Sequence, residues 1–326
     1  MAIEKILKQL TPERIEREIE AIQKIELPPE LQKWMKEYEK VGDRGKFIFF
    51  WLYQTVQTVT LPIINKKYRS SLWNIKFLIA VFIILLDDVV DNMGKENLFH
   101  KIIKIPFEKK YIQTARLNQG EKKYLQFAMK LWDYIGRAVK KYPRYKQFKE
   151  AFDFDINQLI NTMRYSFLVK KKPYLINKTE YWLYSTYSEE AMICIMLDLM
   201  CSPSFDARRI KHVREFGWVA QKLIRIGDCL STWKREIKEN DFTSAVIAYA
   251  LDLNLLAPEE LKKENMSKIV KKIDRSAIKN NLLKEWEQSL KDVMRLAIKS
   301  KIKNIDKVEK IFGKMIISHL SSEGRY

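Results

Sequence analysis

The hydrophobic residues of this chain recur mostly at helical spacing, and no segment alternates convincingly between apolar and polar positions as a strand would. Thr11 before Pro12 is a typical helix start, with the threonine as N-cap and the proline in the first turn. Further prolines fall between the apolar stretches, as helix breakers should. The pattern predicts about ten to twelve helices, which we place at residues 12–25, 29–41, 46–60, 70–92, 121–141, 145–169, 179–200, 206–238, 242–253, 278–300 and 305–321.

The predicted helix 70–92 is the most apolar of these and contains an unbroken apolar run from Phe77 to Leu86. A helix that is apolar nearly all round has neighbours on most sides in a large bundle. The run is too short to span a bilayer and is followed by two aspartates, so we expect no stable membrane insertion. Because no repeat, linker or composition shift marks a second domain, the sequence predicts one all-α bundle over residues 1–326.

Composition narrows the function classes without choosing one. The 326 residues include 60 Lys and Arg against 41 Asp and Glu, a net charge of +19, which suits nucleic acid, an acidic membrane or a phosphate-bearing ligand. Nine glycines and nine prolines are too few for an all-β fold. The three cysteines form no CxxC pair, which argues against a disulfide framework or a zinc site. With a charged N-terminus unlike a signal peptide, these features predict a cytoplasmic protein.

A first acidic group, Asp87, Asp88 and Asp91, directly follows the apolar run. On a helix Asp87 and Asp91 share a face one turn apart, with Asp88 beside them. Three carboxylates repel one another and stay ionised only if a cation or strong donors compensate. Two interpretations are open: a solvated helix end closed by Asn92 and Gly94, or a site for a hard cation such as Mg²⁺.

A second group, Asp228, Thr232 and Glu236, stands at i, i+4 and i+8. Its oxygens form one stripe along roughly 12 Å of helix axis. Carboxylate, hydroxyl and carboxylate oxygens could hold a second hard cation. The alternative is an exposed face on which Glu236 pairs with neighbouring Lys or Arg side chains, and this group by itself does not decide between the two.

Taken together, the two groups resemble the metal motifs of class I terpene synthases (terpene cyclases) of the bacterial and fungal type. The first family motif, DDxxD, matches Asp87, Asp88 and Asp91, and the ligand positions of the second, [N/D]DxxSxxxE or a DTE-like variant, fall on Asp228, Thr232 and Glu236. The family often has basic residues at the positions of Arg225 and Arg235, and many members carry an Arg-Tyr pair near the C-terminus, here Arg325 and Tyr326. The likeness in architecture covers the whole chain, but only about ten residues carry the specific match.

The resemblance implies an enzyme, a carbon–oxygen lyase that ionises a linear prenyl diphosphate and cyclises it to a terpene with release of diphosphate. Farnesyl and geranylgeranyl diphosphate are both compatible. It implies a cluster of Mg²⁺ ions, for which Mn²⁺ could substitute, held by the six motif residues, with Asp88 orienting its neighbours. The resemblance also permits a homodimer and implies no nucleic-acid partner. The expected diphosphate ligands are Arg225, Lys234, Arg235, Arg325 and Tyr326, of which Arg235, Arg325 and Tyr326 are also expected to be catalytic.

The chain departs from the family at one point. Class I synthases usually carry a diphosphate-sensing arginine on a broken helix some forty-odd residues before the second motif, and the corresponding stretch here, 181–190, has no basic residue. Ser185 falls where the arginine would be. The carbocation cavity of the family is lined by aromatic rings. Its candidates here, each more commonly explained as core packing, are Trp51, Trp73, Phe77, Phe82, Tyr184, Tyr187 and Trp218.

Three other functions compete with that of a cyclase. A chain-elongating prenyltransferase would need a second DDxxD motif, which Asp228, Thr232 and Glu236 do not form. A head-to-head prenyltransferase would need an aspartate at or near position 232. A basic helical binding protein is permitted by the charge, but no recognition motif appears, and the lysine-rich stretches 140–144 and 170–172 are most simply solvated loops.

Overall fold

The computed structural model describes residues 3–90, 95–261, 265–301 and 305–323. These ranges contain α-helices and short 3₁₀ turns and no strand, which confirms the predicted all-α class. Asp91, Arg325 and Tyr326 lie outside the described residues. The helices are α1 Ile3–Leu7, α2 Pro12–Gln23, α3 Pro29–Tyr38, α4 Lys46–Thr58, α5 Arg69–Asp88, α6 Glu96–Ile102, α7 Ile105–Glu108, α8 Gln119–Val139, α9 Tyr145–Lys171, α10 Lys178–Tyr184, α11 Ala191–Met200, α12 Ile210–Lys238, α13 Ala245–Asp252, α14 Met266–Asp274, α15 Ile278–Lys299 and α16 Ile305–Ser321.

Sixteen helices in the described ranges exceed the ten to twelve predicted, for two reasons. Helices α1, α6 and α7 have seven residues or fewer, too few turns for hydrophobic periodicity to register. The nine-residue helix α14 was missed although its apolar residues recur at helical spacing. The single helix predicted at 179–200 is wrong: α10 ends at Tyr184, a 3₁₀ turn covers Ser185–Glu189, and α11 begins at Ala191. Glu190 stands between them with φ 47°, a left-handed conformation that ends the helix.

The described residues form two compact units. The N-terminal unit contains residues 22–163 and 193–205, and the C-terminal unit contains residues 1–21, 164–192 and 206–326. The chain passes from one unit to the other four times: within α2, α9 and α11, and between α11 and α12. The prediction of one domain over residues 1–326 stays a prediction.

Helix α5 is the central helix of the N-terminal unit, where it packs against α4 and α8. The stretch Lys66–Asp88 is long and apolar enough to cross a membrane by composition, but 78% of its most apolar window is buried within the protein. The helix also contributes to a buried ion pair: the ammonium of Lys76 lies 2.7 Å from Asp198 Oδ1, and both side chains are fully buried. The all-round apolar pattern of this helix therefore reflects a core position.

Helix α12 is the central helix of the C-terminal unit and packs against α15, α16 and the 3₁₀ turn Ser185–Glu189. The large rings of Trp233 and Trp286 fill the core around it. Gly227 permits a close approach of α16, since a Cβ atom at this position would lie 2.9 Å from His319 Nδ1. The second acidic motif therefore lies on a helix held from several sides.

Candidate functional site

The second motif forms a stripe on α12, as the spacing predicts. Glu236 is 7% exposed and Thr232 is buried, while Asp228 is half-buried. The Thr232 hydroxyl oxygen lies 2.7 Å from Glu236 Oε1 and 2.9 Å from the Asp228 carbonyl oxygen, so its one proton can serve either acceptor. The burial of Glu236 shows that this stripe is not a solvated face.

The second oxygen of Glu236 is the most informative atom of the stripe. Glu236 Oε2 is buried and has no hydrogen-bond partner among the described residues. Burial raises the pKa of Glu236 to about 8, with Asp241 and Asp228 adding to the shift and Arg225 opposing it. An unpaired buried carboxylate oxygen is costly. Because oxygen ligands at this spacing suit a hard divalent ion, the residues present fit a cation of that kind.

Arg225 is the cation nearest to the stripe, and its guanidinium group is engaged by the protein. Nη1 donates to Asp228 Oδ2 at 2.6 Å and reaches Glu189 Oε1 at 3.4 Å. Nε donates to the Tyr181 hydroxyl at 2.8 Å, and Nη2 donates to the Thr243 carbonyl oxygen at 3.2 Å. Arg225 therefore holds Asp228 in place in this structure, and its contact with a diphosphate stays a prediction.

Glu189 is a site residue that the sequence analysis missed. It comes from the end of the 3₁₀ turn that interrupts the predicted helix 179–200. Burial raises the pKa of Glu189 to about 8, and Asp228 adds to the shift while Arg225 opposes it. The helix break thus brings a carboxylate to the stripe from the stretch in which the family carries a basic residue. The Glu189–Glu190 pair in an otherwise uncharged segment was the available signal.

His319 is a second neighbour to which the sequence analysis assigned no role. It is buried on α16, where its ring lies against Gly227. Burial lowers the pKa of His319 to about 4, with Asp228 opposing the shift, so the imidazole is neutral at ordinary pH. Beside this neutral ring, it is Arg225 that pairs with the acids Asp228 and Glu189.

The two basic residues next to Glu236 on α12 point to other partners. The Lys234 ammonium lies 3.7 Å from Asp274 Oδ2 on α14. Arg235 Nη1 lies 2.6 Å from Glu239 Oε2, one turn further along the helix. Lys234 is about 200° round the helix from Thr232, on the opposite face. Their predicted roles in diphosphate binding stay predictions, as do those of Arg325 and Tyr326.

The first motif lies in the N-terminal unit at the end of α5. Asp88 is 1% exposed, and both of its oxygens have donors: Arg44 Nε lies 2.6 Å from Oδ1, and the Tyr38 hydroxyl donates to Oδ2 at 3.0 Å. Burial raises the pKa of Asp88, and Arg44 opposes that shift. Asp87 is half-buried in the last turn of α5. Metal binding by Asp87, Asp88 and Asp91 stays a prediction.

The predicted cavity aromatics take part in ring packing. In the N-terminal unit Phe77 contacts the ring of Tyr53 and Phe82 that of Trp132, and both phenylalanines are fully buried. The other contacts are Tyr184 with Tyr165, Tyr187 with Trp218, and Trp73 with the Arg69 guanidinium. Phe77, Phe82 and Tyr187 are buried core side chains, whereas Trp73, Tyr184 and Trp218 are half-buried. A role in lining a cavity stays a prediction for each.

Within the described ranges, no group of three His, Cys, Asp or Glu side chains is close enough to hold a metal ion. The α12 stripe includes a threonine ligand, and Asp91 lies outside those ranges. No protein-family model matches the chain, and no curated protein matches it either. The likeness to class I terpene synthases therefore rests on the motif residues of the sequence alone.

Proposed function

We propose that this chain is a Mg²⁺-dependent terpene cyclase that ionises a linear prenyl diphosphate, of the farnesyl or geranylgeranyl type, and cyclises the resulting cation. One observation carries the proposal. Glu236 is buried in line with Asp228 and Thr232, and its Oε2 atom has no hydrogen-bond partner among the described residues. A buried carboxylate of this kind is explained by a cation that it binds when the enzyme is loaded.

The carbon–oxygen bond of a prenyl diphosphate breaks only if the charge that develops on the leaving oxygens is neutralised. Bound Mg²⁺ ions would supply most of that neutralisation. Asp228, Thr232 and Glu236 would hold one ion, and Asp87 and Asp91 would hold others. The proposal keeps Arg235, Arg325 and Tyr326 as donors to the diphosphate.

Arg225 and Glu189 have a positioning role in this proposal. The Arg225 guanidinium neutralises Asp228 and Glu189 together, since Nη1 contacts an oxygen of each. Without it two buried acids would repel each other and rotate apart. Arg225 therefore fixes the Asp228 carboxylate on the stripe, in line with Thr232 and Glu236.

The experiment is to incubate the full chain with C10, C15, C20 and C25 prenyl diphosphates and Mg²⁺ and to analyse the volatile products. We expect cyclic terpenes from at least one substrate, loss of turnover in EDTA, and recovery when Mg²⁺ is restored. In the same assay, Glu236→Gln should lose most of the turnover. Glu215→Gln is its matched control, because Glu215 is an exposed carboxylate on the same helix. Full turnover in chelator, or no turnover of any substrate by folded protein, would overturn the proposal.

A further inference from the structure

A second feature of the C-terminal unit lies outside the proposed active site. Residues 164–179 include five basic side chains and no acidic one. At the end of α9 three consecutive lysines, residues 170–172, lie between exposed apolar side chains: Leu168 before them is 44% exposed, and Tyr174 in the following 3₁₀ turn is 64% exposed. We call this surface the basic–apolar patch, and it consists of Leu168, Lys171, Lys172, Tyr174 and Leu175.

The other lysine-rich stretch of the chain shows that such exposure is not a general property of basic loops. Lys140 and Lys141 are also exposed and are also followed by a tyrosine and a proline. There, however, Tyr142 is only 6% exposed, and its hydroxyl donates to the Ser71 carbonyl oxygen at 3.2 Å. The interpretation as a solvated loop fits that stretch, whereas the patch keeps its tyrosine in solvent.

A third region, residues 101–116, exposes aromatic rings and is also basic, with five basic side chains against the single acid Glu108, but two of its lysines are paired with acids. Phe107 and Tyr111 are exposed around α7. Lys109 beside them pairs with Asp133, and the Lys104 ammonium lies 3.8 Å from Glu108 Oε2. Of these three regions, the patch alone combines exposed apolar side chains with a basic segment that has no acidic residue of its own. Its 3₁₀ turn packs against the turn Pro258–Glu260, where Glu260 is paired with Lys272.

We propose that the basic–apolar patch docks this chain on an anionic membrane surface. Each lysine held near acidic headgroups contributes attraction, and tyrosine and leucine side chains bury their apolar surface at the headgroup boundary. A bilayer accepts such side chains without a complementary groove, so a short turn suffices. The contact is peripheral, which agrees with the expectation that no helix of this chain is inserted. It does not depend on the proposed cyclase activity.

The experiment is flotation of the full chain with vesicles of phosphatidylcholine alone or mixed equally with phosphatidylserine. We expect binding to the mixed vesicles only, weakened by high salt because surface charges are screened. Lys171→Glu with Lys172→Glu should lower the partition coefficient at least about tenfold. Tyr174→Ser with Leu175→Ser keeps the charge and should also weaken binding severalfold, because the apolar contact is lost.

The matched control is Lys140→Glu with Lys141→Glu, which changes the net charge by the same amount next to a buried tyrosine. It should leave most of the binding intact. All substituted side chains in both lysine pairs are exposed, so circular dichroism should show unchanged folding. Equal losses for the two lysine pairs, or unchanged binding for the Tyr174 and Leu175 variant, would overturn the proposal. Absence of vesicle binding, with binding to RNA or polyglutamate through the same lysines, would also overturn it.

Discussion

Asp88 in the N-terminal unit and Glu236 in the C-terminal unit are both buried carboxylates on long helices, but their surroundings differ. Asp88 has a guanidinium group on one oxygen and a phenol on the other. Glu236 has the Thr232 hydroxyl on one oxygen and no partner among the described residues on the other. The Asp88 carboxylate thus has a hydrogen-bond donor on each oxygen, whereas the Glu236 carboxylate has one on a single oxygen, and its other oxygen is available to a ligand.

The difference follows from the number of acids with which each arginine pairs. A buried charge is tolerated when it is paired and hydrogen-bonded, and Arg44 gives Asp88 such a pair. Arg225 instead serves Asp228 and Glu189 at once, so little of its charge is left to neutralise Glu236. The acids of the α12 stripe therefore repel one another once Glu236 is ionised, and a bound cation would relieve that repulsion, which is the arrangement expected of a metal site.

The largest effect is expected for Glu236→Gln, which removes the carboxylate whose Oε2 atom has no partner among the described residues. Turnover should fall at least about 100-fold, the upper end of what even outer-shell metal partners are worth. Metal-free protein should become more stable at about pH 8, because a repelled buried carboxylate is removed. Product analysis and thermal unfolding without Mg²⁺ measure the two effects. A variant with normal activity and normal metal dependence would show that Glu236 is only a core side chain.

Asp88→Asn should have the opposite effect on stability. It removes the charge that pairs with Arg44, and we expect about 2 kcal/mol of destabilisation, below the usual cost of breaking a buried pair because Arg44 is partly exposed. Urea unfolding of this variant, of Arg44→Met and of the double variant gives the coupling energy. Its activity should suffer less than that of Asp87→Asn. Additive effects of the two single substitutions would refute the pairing.

The stabilisation that Mg²⁺ provides should depend on pH. In metal-free folded protein Glu189 and Glu236 have pKa values of about 8, above their ordinary value of 4.5. Between these values the folded state binds more protons than the unfolded state, so the stability of metal-free protein falls as pH rises. Metal binding displaces the proton from Glu236, so the rise in Tm caused by Mg²⁺ should be larger at about pH 8 than at about pH 6. Glu236→Gln should flatten this dependence, and a flat profile in the native chain would contradict it.

The smallest effect is expected for Gly227→Ala. A Cβ atom there would lie 2.9 Å from His319 Nδ1 and 3.1 Å from Ile316 Cδ1, so crowding should outweigh the gain in helix propensity and cost about 1 kcal/mol. Gly136→Ala is the matched control in α8, where a Cβ atom would meet nothing within 4 Å. It should stabilise the protein by up to about 1 kcal/mol. Equal shifts in the denaturation midpoint for both variants would mean that α16 does not approach α12 closely.

The all-α class, the position of most long helices and the α12 stripe could all be predicted from the amino-acid sequence. These features are local, because a residue, its i+4 neighbour and its i+8 neighbour share a helix face whatever surrounds the helix. The same locality explains why the short helices and the break at Glu190 were missed. Few turns give little periodicity, and no spacing rule places a glutamate in a left-handed conformation.

Which of the buried acids have a partner on both oxygens depends on contacts between residues that are far apart in the chain. Tyr38 and Arg44 reach Asp88 from 50 and 44 positions away in the chain, and Glu189 reaches Arg225 from 36 positions away. Packing of α12 against α16 brings His319 to Gly227 in the same way. Whether a buried charge needs a ligand depends on its neighbours in space, and the sequence pattern of a helix contains only its neighbours along the chain.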